Sequence, residues 1–200
     1  MGKRIYKIFY TVLLTADIIF GQIYVDYDDI NKNDIIDALS FAGIGIFKFD
    51  IDSLEGDHNF YLVLDEYAGK DSVISTDTLL GQSPFELRSK DIKSVRFLTK
   101  VENNSFEKVY LYISTQSLST LKKIEMDKKY IRKHYWLKFE KTNISLNHKV
   151  PLLFFGSEWD SEFNGEKTTR FCSFDKVPVD LSGDALEEIP HFYIISYLLK

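Results

Sequence analysis

From residue 44 onward the apolar residues of this chain recur mainly with a period of two. Phe60, Leu62 and Leu64 alternate with Tyr61, Val63 and Asp65. Val95 and Phe97 alternate with Arg96 and Leu98. Val109, Leu111 and Ile113 alternate with Lys108, Tyr110 and Tyr112. Successive side chains of a strand point to opposite faces, so each run has one face for a core and one mixed face. That pattern predicts antiparallel strands. Turn signals separate the runs at Glu55-Gly56-Asp57, Ala68-Gly69-Lys70-Asp71, Asn103-Asn104-Ser105 and Asn164-Gly165. Asn-Gly suits a tight hairpin because both residues tolerate positive φ. Aromatic residues reinforce the reading: 16 Phe, 12 Tyr and 2 Trp stand against 10 Gly and 4 Pro, a mix that favours pleated, half-buried surfaces.

One helix precedes the strands. Asn33 is the expected cap, and Ile35, Ile36, Leu39 and Ala42 fall near one face at helical spacing. Gly43 or Gly45 is expected to end it. Residues 117–129 fit a strand better than a helix. The C-terminal run PHFYIISYLLK is apolar on both faces, as a central strand would be. The predicted fold class is α+β: predominantly antiparallel sheet with one short N-terminal helix packed against it. Nothing in residues 22–200 reads as a linker, repeat or low-complexity tract, so they are predicted to form a single mainly-β domain.

The first 21 residues, MGKRIYKIFYTVLLTADIIFG, have a different character. Lys3, Arg4 and Lys7 form a basic head. Ile8–Phe20 is an apolar stretch interrupted by Asp17, and Gly21 is small enough to precede a cleavage point. This is the layout of a signal peptide. The apolar stretch is shorter than the roughly 20 residues a spanning helix needs, so no stable transmembrane segment is expected. An apolar run ending just before Gln22 resembles the export signals of Bacteroidetes-type Gram-negative bacteria. That resemblance implies an exported protein, periplasmic or secreted, with a mature chain starting at Gln22.

Catalytic signatures are missing from the sequence. There is no GxSxG, HExxH, P-loop or GxGxxG motif, so no cofactor is expected. His58, His134, His148 and His191 form no short-range pair, and the single cysteine, Cys172, cannot build a multi-cysteine zinc site. No metal is therefore expected. Asp29, Asn31 and Asn33 match the first ligand positions of a calcium loop, but Asp34 and Ser40 stand where Gly and Glu are required. Asp50, Asp52, Glu55 and Asp57 form a second acidic loop, also out of register. Glu158, Asp160 and Glu162 around Trp159 resemble a sugar subsite with paired carboxylates. They motivate the alternative reading, an envelope hydrolase acting on glycan or peptide.

Charge is segregated along the chain. Residues 22–77 carry 13 acidic and 3 basic residues, whereas residues 78–157 carry 15 basic and 7 acidic. The whole chain has net charge −5, which argues against a nucleic-acid-coating protein. Within the basic block, the run YIRKHYWLKFEK places Ile131, Tyr135, Leu137 and Phe139 on an expected core face, with Lys133 the exception on it. Alternation then puts Arg132, His134, Trp136 and Lys138 together on the other face. A row of cations, a titratable ring and an aromatic plate suits an anionic glycan, a lipid headgroup or an acidic envelope protein. The sequence thus predicts a non-catalytic binding or assembly module of the cell envelope.

Overall fold

Each period-two run becomes a strand in the computed structural model, which describes residues 30–51, 56–102, 105–141, 145–171, 176–182 and 184–200. The stretch 1–21, Asp29, Asp52, Glu55, the Asn103-Asn104 turn and Cys172 lie outside the described residues. The strands are β1 (Ile44–Asp50), β2 (Phe60–Tyr67), β3 (Val73–Leu80), β4 (Ser94–Val101), β5 (Lys108–Ser114) and β6 (Ser119–Glu125). They continue with β7 (His134–Phe139), β8 (Lys149–Ser157), β9 (Trp159–Phe163), β10 (Glu166–Arg170), β11 (Lys176–Val177) and β12 (Phe192–Leu199). Helix α1 spans Lys32–Phe41, and the four-residue α2 spans Asp184–Glu187. The fold is α+β, mostly antiparallel sheet with one helix near the N-terminus.

The strands form a small sheet in the order β1-β4-β5-β6, a large sheet in the order β11-β7-β8-β12-β2-β3, and the β9–β10 hairpin. All pairs are antiparallel except the short β11–β7 contact. Asn164 and Gly165 turn the hairpin with φ of 53° and 81°, as Asn-Gly allows.

The two larger sheets share one core. Val95, Phe97, Val109, Leu111 and Ile113 of the small sheet belong to the same buried cluster as Phe60, Leu62, Leu153, Phe155 and Ile195 of the large one. The opposite face of the large sheet has a core of its own. Phe139, Phe154, Phe192 and Ile194 pack there with Trp159, Val177, Leu186 and Ile189. Strand β12 lies between β8 and β2 and is buried on both faces, which explains why its sequence has no polar side. At one flank of the sandwich, β6 and β3 are tied by an ion pair between Lys122 and Asp77, joining the basic and acidic blocks of the sequence.

Residues Asp37–Lys200 make one compact unit, and α1 begins in the unit before it. Its cap is Asn31, not Asn33. The Asn31 side chain accepts from the Asn33 and Asp34 amides at 2.7 and 3.4 Å, and Asp34 accepts from the Asn31 amide at 2.7 Å. This reciprocal pair is a capping box, which needs the side chain three residues ahead of its acidic partner. Gly43, at φ 72°, ends the helix. No residue of α1 is buried. Among the described residues, no helix is long and apolar enough to cross a membrane.

Because β12 is hydrogen-bonded on both edges and buried on both faces, removing residues 191–200 is expected to split the large sheet and open both cores. The truncated chain should aggregate or lose cooperative unfolding. A soluble truncation with an unchanged melting temperature would show the strand to be peripheral.

A cleft beside a buried histidine pair

The flank of the sandwich opposite Asp77 and Lys122 is open. Edge strand β1 and strand β7 bound a cleft of about 750 Å³ lined by Ile44, Gly45, Phe47, Val101, Phe106, Trp136, Leu137 and Phe171, with Lys133, His134, Tyr135, Gly43 and the end of α1 at Ser40 and Phe41 at its walls. Clefts of 300–1,000 Å³ with mostly apolar walls are typical of small-ligand sites. Gly45 helps to keep it open. Phe47 and Phe49 pack against the shared core, and position 45 is in the same strand row. A Cβ at 45 would meet Thr99 Oγ1 at 2.5 Å, where the Gly45 amide now donates to that hydroxyl at 3.2 Å.

Of the four residues singled out in β7, alternation does align His134, Trp136 and Lys138. The face they share is turned toward the small sheet rather than outward. Trp136 stacks on Phe155 at 4.3 Å and meets Phe47 of β1 at 6.1 Å, so its ring touches both sheets. Lys138 is exposed, with its ammonium 6.0 Å from the Phe47 ring. Arg132 lies before the strand and turns away to Asp160, at 2.9 Å. The expected core face is covered too: Phe139 is buried, and Tyr135 packs on Phe171 at 3.8 Å. Both faces of β7 are therefore covered, and period-two alternation cannot tell them apart.

His134 is 4% exposed and belongs to a polar chain through the interior. Its Nδ1 lies 2.8 Å from the Arg132 carbonyl, and its Nε2 lies 3.4 Å from His191 Nδ1. His191 Nε2 lies 3.0 Å from Glu66 Oε1, which also accepts from the Tyr193 hydroxyl at 3.0 Å, while Ser75 donates to Oε2 at 2.8 Å. Tyr130 stacks on His191 at 4.0 Å. Both ends of this chain, the carbonyl and the carboxylate, only accept. Each imidazole must therefore spend its proton outward, at His134 Nδ1 and His191 Nε2. Two neutral rings leave two lone pairs facing each other across the 3.4 Å gap, and one added proton would convert the gap into a hydrogen bond.

Burial opposes that proton. It pulls the His134 pKa from 6.5 down to about 4, against the favourable Arg132 carbonyl and with some repulsion from His191. Burial lowers His191 as well, partly countered by Glu66. Burial also pushes the Glu66 carboxyl up, but hydrogen bonds from His191, Ser75 and Tyr193 prevail and hold it below its ordinary value. At neutral pH the chain thus consists of two neutral rings and a carboxylate.

The remaining candidates disperse. Asp160 borders two hollows, one of about 460 Å³ along the β9–β10 hairpin with Glu162, and one of about 330 Å³ with Arg132, Ser157 and His191. The hydrogen bond from Arg132 keeps the Asp160 carboxyl low, which suits an ion-pair partner and not a proton donor. The Ser157 hydroxyl is buried and has no hydrogen-bond partner among the described residues, so no serine–histidine pair is formed. His148 is exposed and bonds locally to Leu146 and Ser145. Asp50 and Asp57 pair with Lys48 and Lys90. Among the described residues no three His, Cys, Asp or Glu side chains are grouped to hold a metal. Sequence reading missed the chain from His134 through His191 to Glu66 and Tyr193, because its links join residues 57 to 127 positions apart and carry no local signal.

These pKa displacements fix the sign of an acid effect. The unfolded chain protonates His134 near 6.5 and the folded chain only near 4. Between those values the unfolded state holds the extra proton, so stability falls as pH drops through that window, by about 3 kcal/mol at most. Glu66 acts in the same direction at lower pH, since its folded pKa lies below its unfolded one. Chemical denaturation between pH 7 and pH 4 should show this loss. His134→Asn keeps an N–H near the Nδ1 position and should flatten the dependence. An unaltered slope in the variant would place the titration elsewhere.

No curated protein and no solved structure matches this chain. A family model does match, across residues 21–200, under the description Domain of unknown function (DUF5041). With nearly the whole length covered, the chain belongs to the DUF5041 family.

Proposed function

We propose that this chain is an exported module of the cell envelope that binds a ligand in the β1–β7 cleft and performs no catalysis. The observation that carries the binding reading is the cleft itself: about 750 Å³, walled by Phe47, Phe106, Trp136 and Phe171, with no Asp or Glu among its described lining residues. Such a wall favours apolar surface, at roughly 25 cal/mol per Å² removed from water. Export is supported by the basic head and apolar stretch of residues 1–21, and the family match begins at residue 21. The outer partners expected from the basic block, an anionic glycan or an acidic envelope protein, have less support. Several cations of the small sheet already face neighbouring carboxylates, as Lys108 does Glu102 at 3.3 Å and Lys123 does Glu125.

The hydrolase reading draws on one observation, the hollow shared by Asp160, Ser157, Arg132 and His191. Its Asp160 carboxyl is held low by Arg132, and its Ser157 hydroxyl is hydrogen-bonded to no base among the described residues. A serine-directed fluorophosphonate is expected to leave Ser157 unlabelled; labelling abolished by Ser157→Ala would revive this reading.

Two measurements test the binding reading. Secreted material should have the intact mass of a chain starting at Gln22, and recovery of Met1 in a cytosolic fraction would overturn export. N-phenylnaphthylamine, a neutral apolar fluorophore, should brighten in the presence of the mature chain. Ile44→Glu, which puts a charge on the cleft wall, should abolish that response without lowering the melting temperature. Equal brightening with the variant would place the apolar site elsewhere.

A further inference from the structure

We propose that the cleft takes an amphipathic anion, with an apolar chain between β1 and β7 and a carboxylate or phosphate against Lys133. This rests on the cleft being a binding site and adds the charge of its ligand. The polar groups of the lining are unequal in kind. Among the described residues it contains no carboxylate, and its one cation is Lys133. That ammonium lies 4.9 Å over the Tyr135 ring, and no carboxylate comes within 4.0 Å of it among the described residues. Its chain neighbour Arg132 is by contrast neutralised by Asp160 at 2.9 Å. Tyr135 first, and Glu158 from farther away, favour the charged form of Lys133.

The Trp136 indole N–H is buried and has no acceptor among the described residues, whereas buried donors are generally satisfied. His134 adds no further N–H to the cleft, since its Nδ1 faces the Arg132 carbonyl and its Nε2 faces His191. Lys133, just ahead of β7, therefore places positive charge beside an apolar floor. The complementary ligand carries acceptor oxygens, negative charge and an apolar body. A free fatty carboxylate and a lipid phosphate share that chemistry.

Titration calorimetry of the mature chain with dodecanoate, dodecyl phosphate and dodecanol, each below its micelle concentration, tests the proposal and separates the two sources. One or both anions should bind at least about tenfold more tightly than dodecanol, a difference of about 1.4 kcal/mol. The anion that binds better identifies the headgroup. Lys133→Met should bring the anions down to the affinity of dodecanol and leave dodecanol unchanged, and Lys133→Arg should retain the preference. Lys133 is exposed, so the melting temperature of either variant should match that of the wild type. If dodecanol binds as tightly as the anions, the charge assignment is wrong and the apolar-cleft reading stands. If anions are preferred equally by wild type and Lys133→Met, Lys133 is not the headgroup partner. If none of the three binds, both the ligand class and the cleft reading fall.

Discussion

Two-sided burial of the large sheet is the constraint on which the rest of this structure depends. An antiparallel sheet with one wet face needs only one covering layer, and its strands then alternate. Here β12 is buried along nearly its whole length, with Tyr193, Ile195 and Tyr197 in the shared core and Phe192 and Ile194 in the second. The small sheet covers one face. The other is covered by Trp159, Val177, Leu186 and Ile189, which belong to short elements with little regular structure of their own. Those residues have no reason to order except the apolar surface they cover. The second core thus depends on the central strand, and the short β11–β7 pairing depends on the second core.

The cleft follows from the same arrangement. The small sheet has four strands and the large one six, so the two cannot match along both flanks. On one flank Lys122 and Asp77 join the edge strands. On the other, Trp136 is the side chain that reaches from the large sheet to Phe47. An indole is wide enough to touch both layers without closing the gap. Position 45, where a side chain would narrow the gap from the β1 side, is glycine, and Thr99 uses the space to take the Gly45 amide.

Much of the fold was legible from spacing. Alternation located the strands around Phe60, Val95 and Val109. Asn164-Gly165 marked its hairpin, and the two-sided apolar tail marked a central strand. Where reading failed, the physics was non-local. Asn31 and not Asn33 caps α1, because the acidic partner three residues on decides the cap. In β7 the alternation aligned His134, Trp136 and Lys138 but gave them the wrong surroundings. A strand covered on both faces offers two mixed rows, and Lys133, opposite Trp136 in the pleat, looked like an intruder in a core row. It instead stands at the open edge, where a cation can sit beside aromatic rings and still meet water. Arg132 left the row because the strand had not yet begun and Asp160 was within reach.

The histidine pair shows why a buried polar chain can sit at the junction of these features. A carbonyl left over at the start of β7, at Arg132, needs a donor, and a carboxylate in β2, Glu66, needs several. Two imidazoles in series supply one N–H to each, and the flat rings pack as aromatics against Phe155 and Tyr130. An apolar pair would leave the Arg132 carbonyl unpaired, at a cost of about 1–3 kcal/mol, and would leave Glu66 with only its Tyr193 and Ser75 donors. Neutral rings avoid the larger cost of a buried charge, provided the central gap stays without a proton. The same neutrality keeps His134 from adding positive charge to the cleft wall it shares with Trp136. Among the described residues of the cleft the charge is that of Lys133, on the exposed rim, where an ammonium stays hydrated while its stem covers apolar surface.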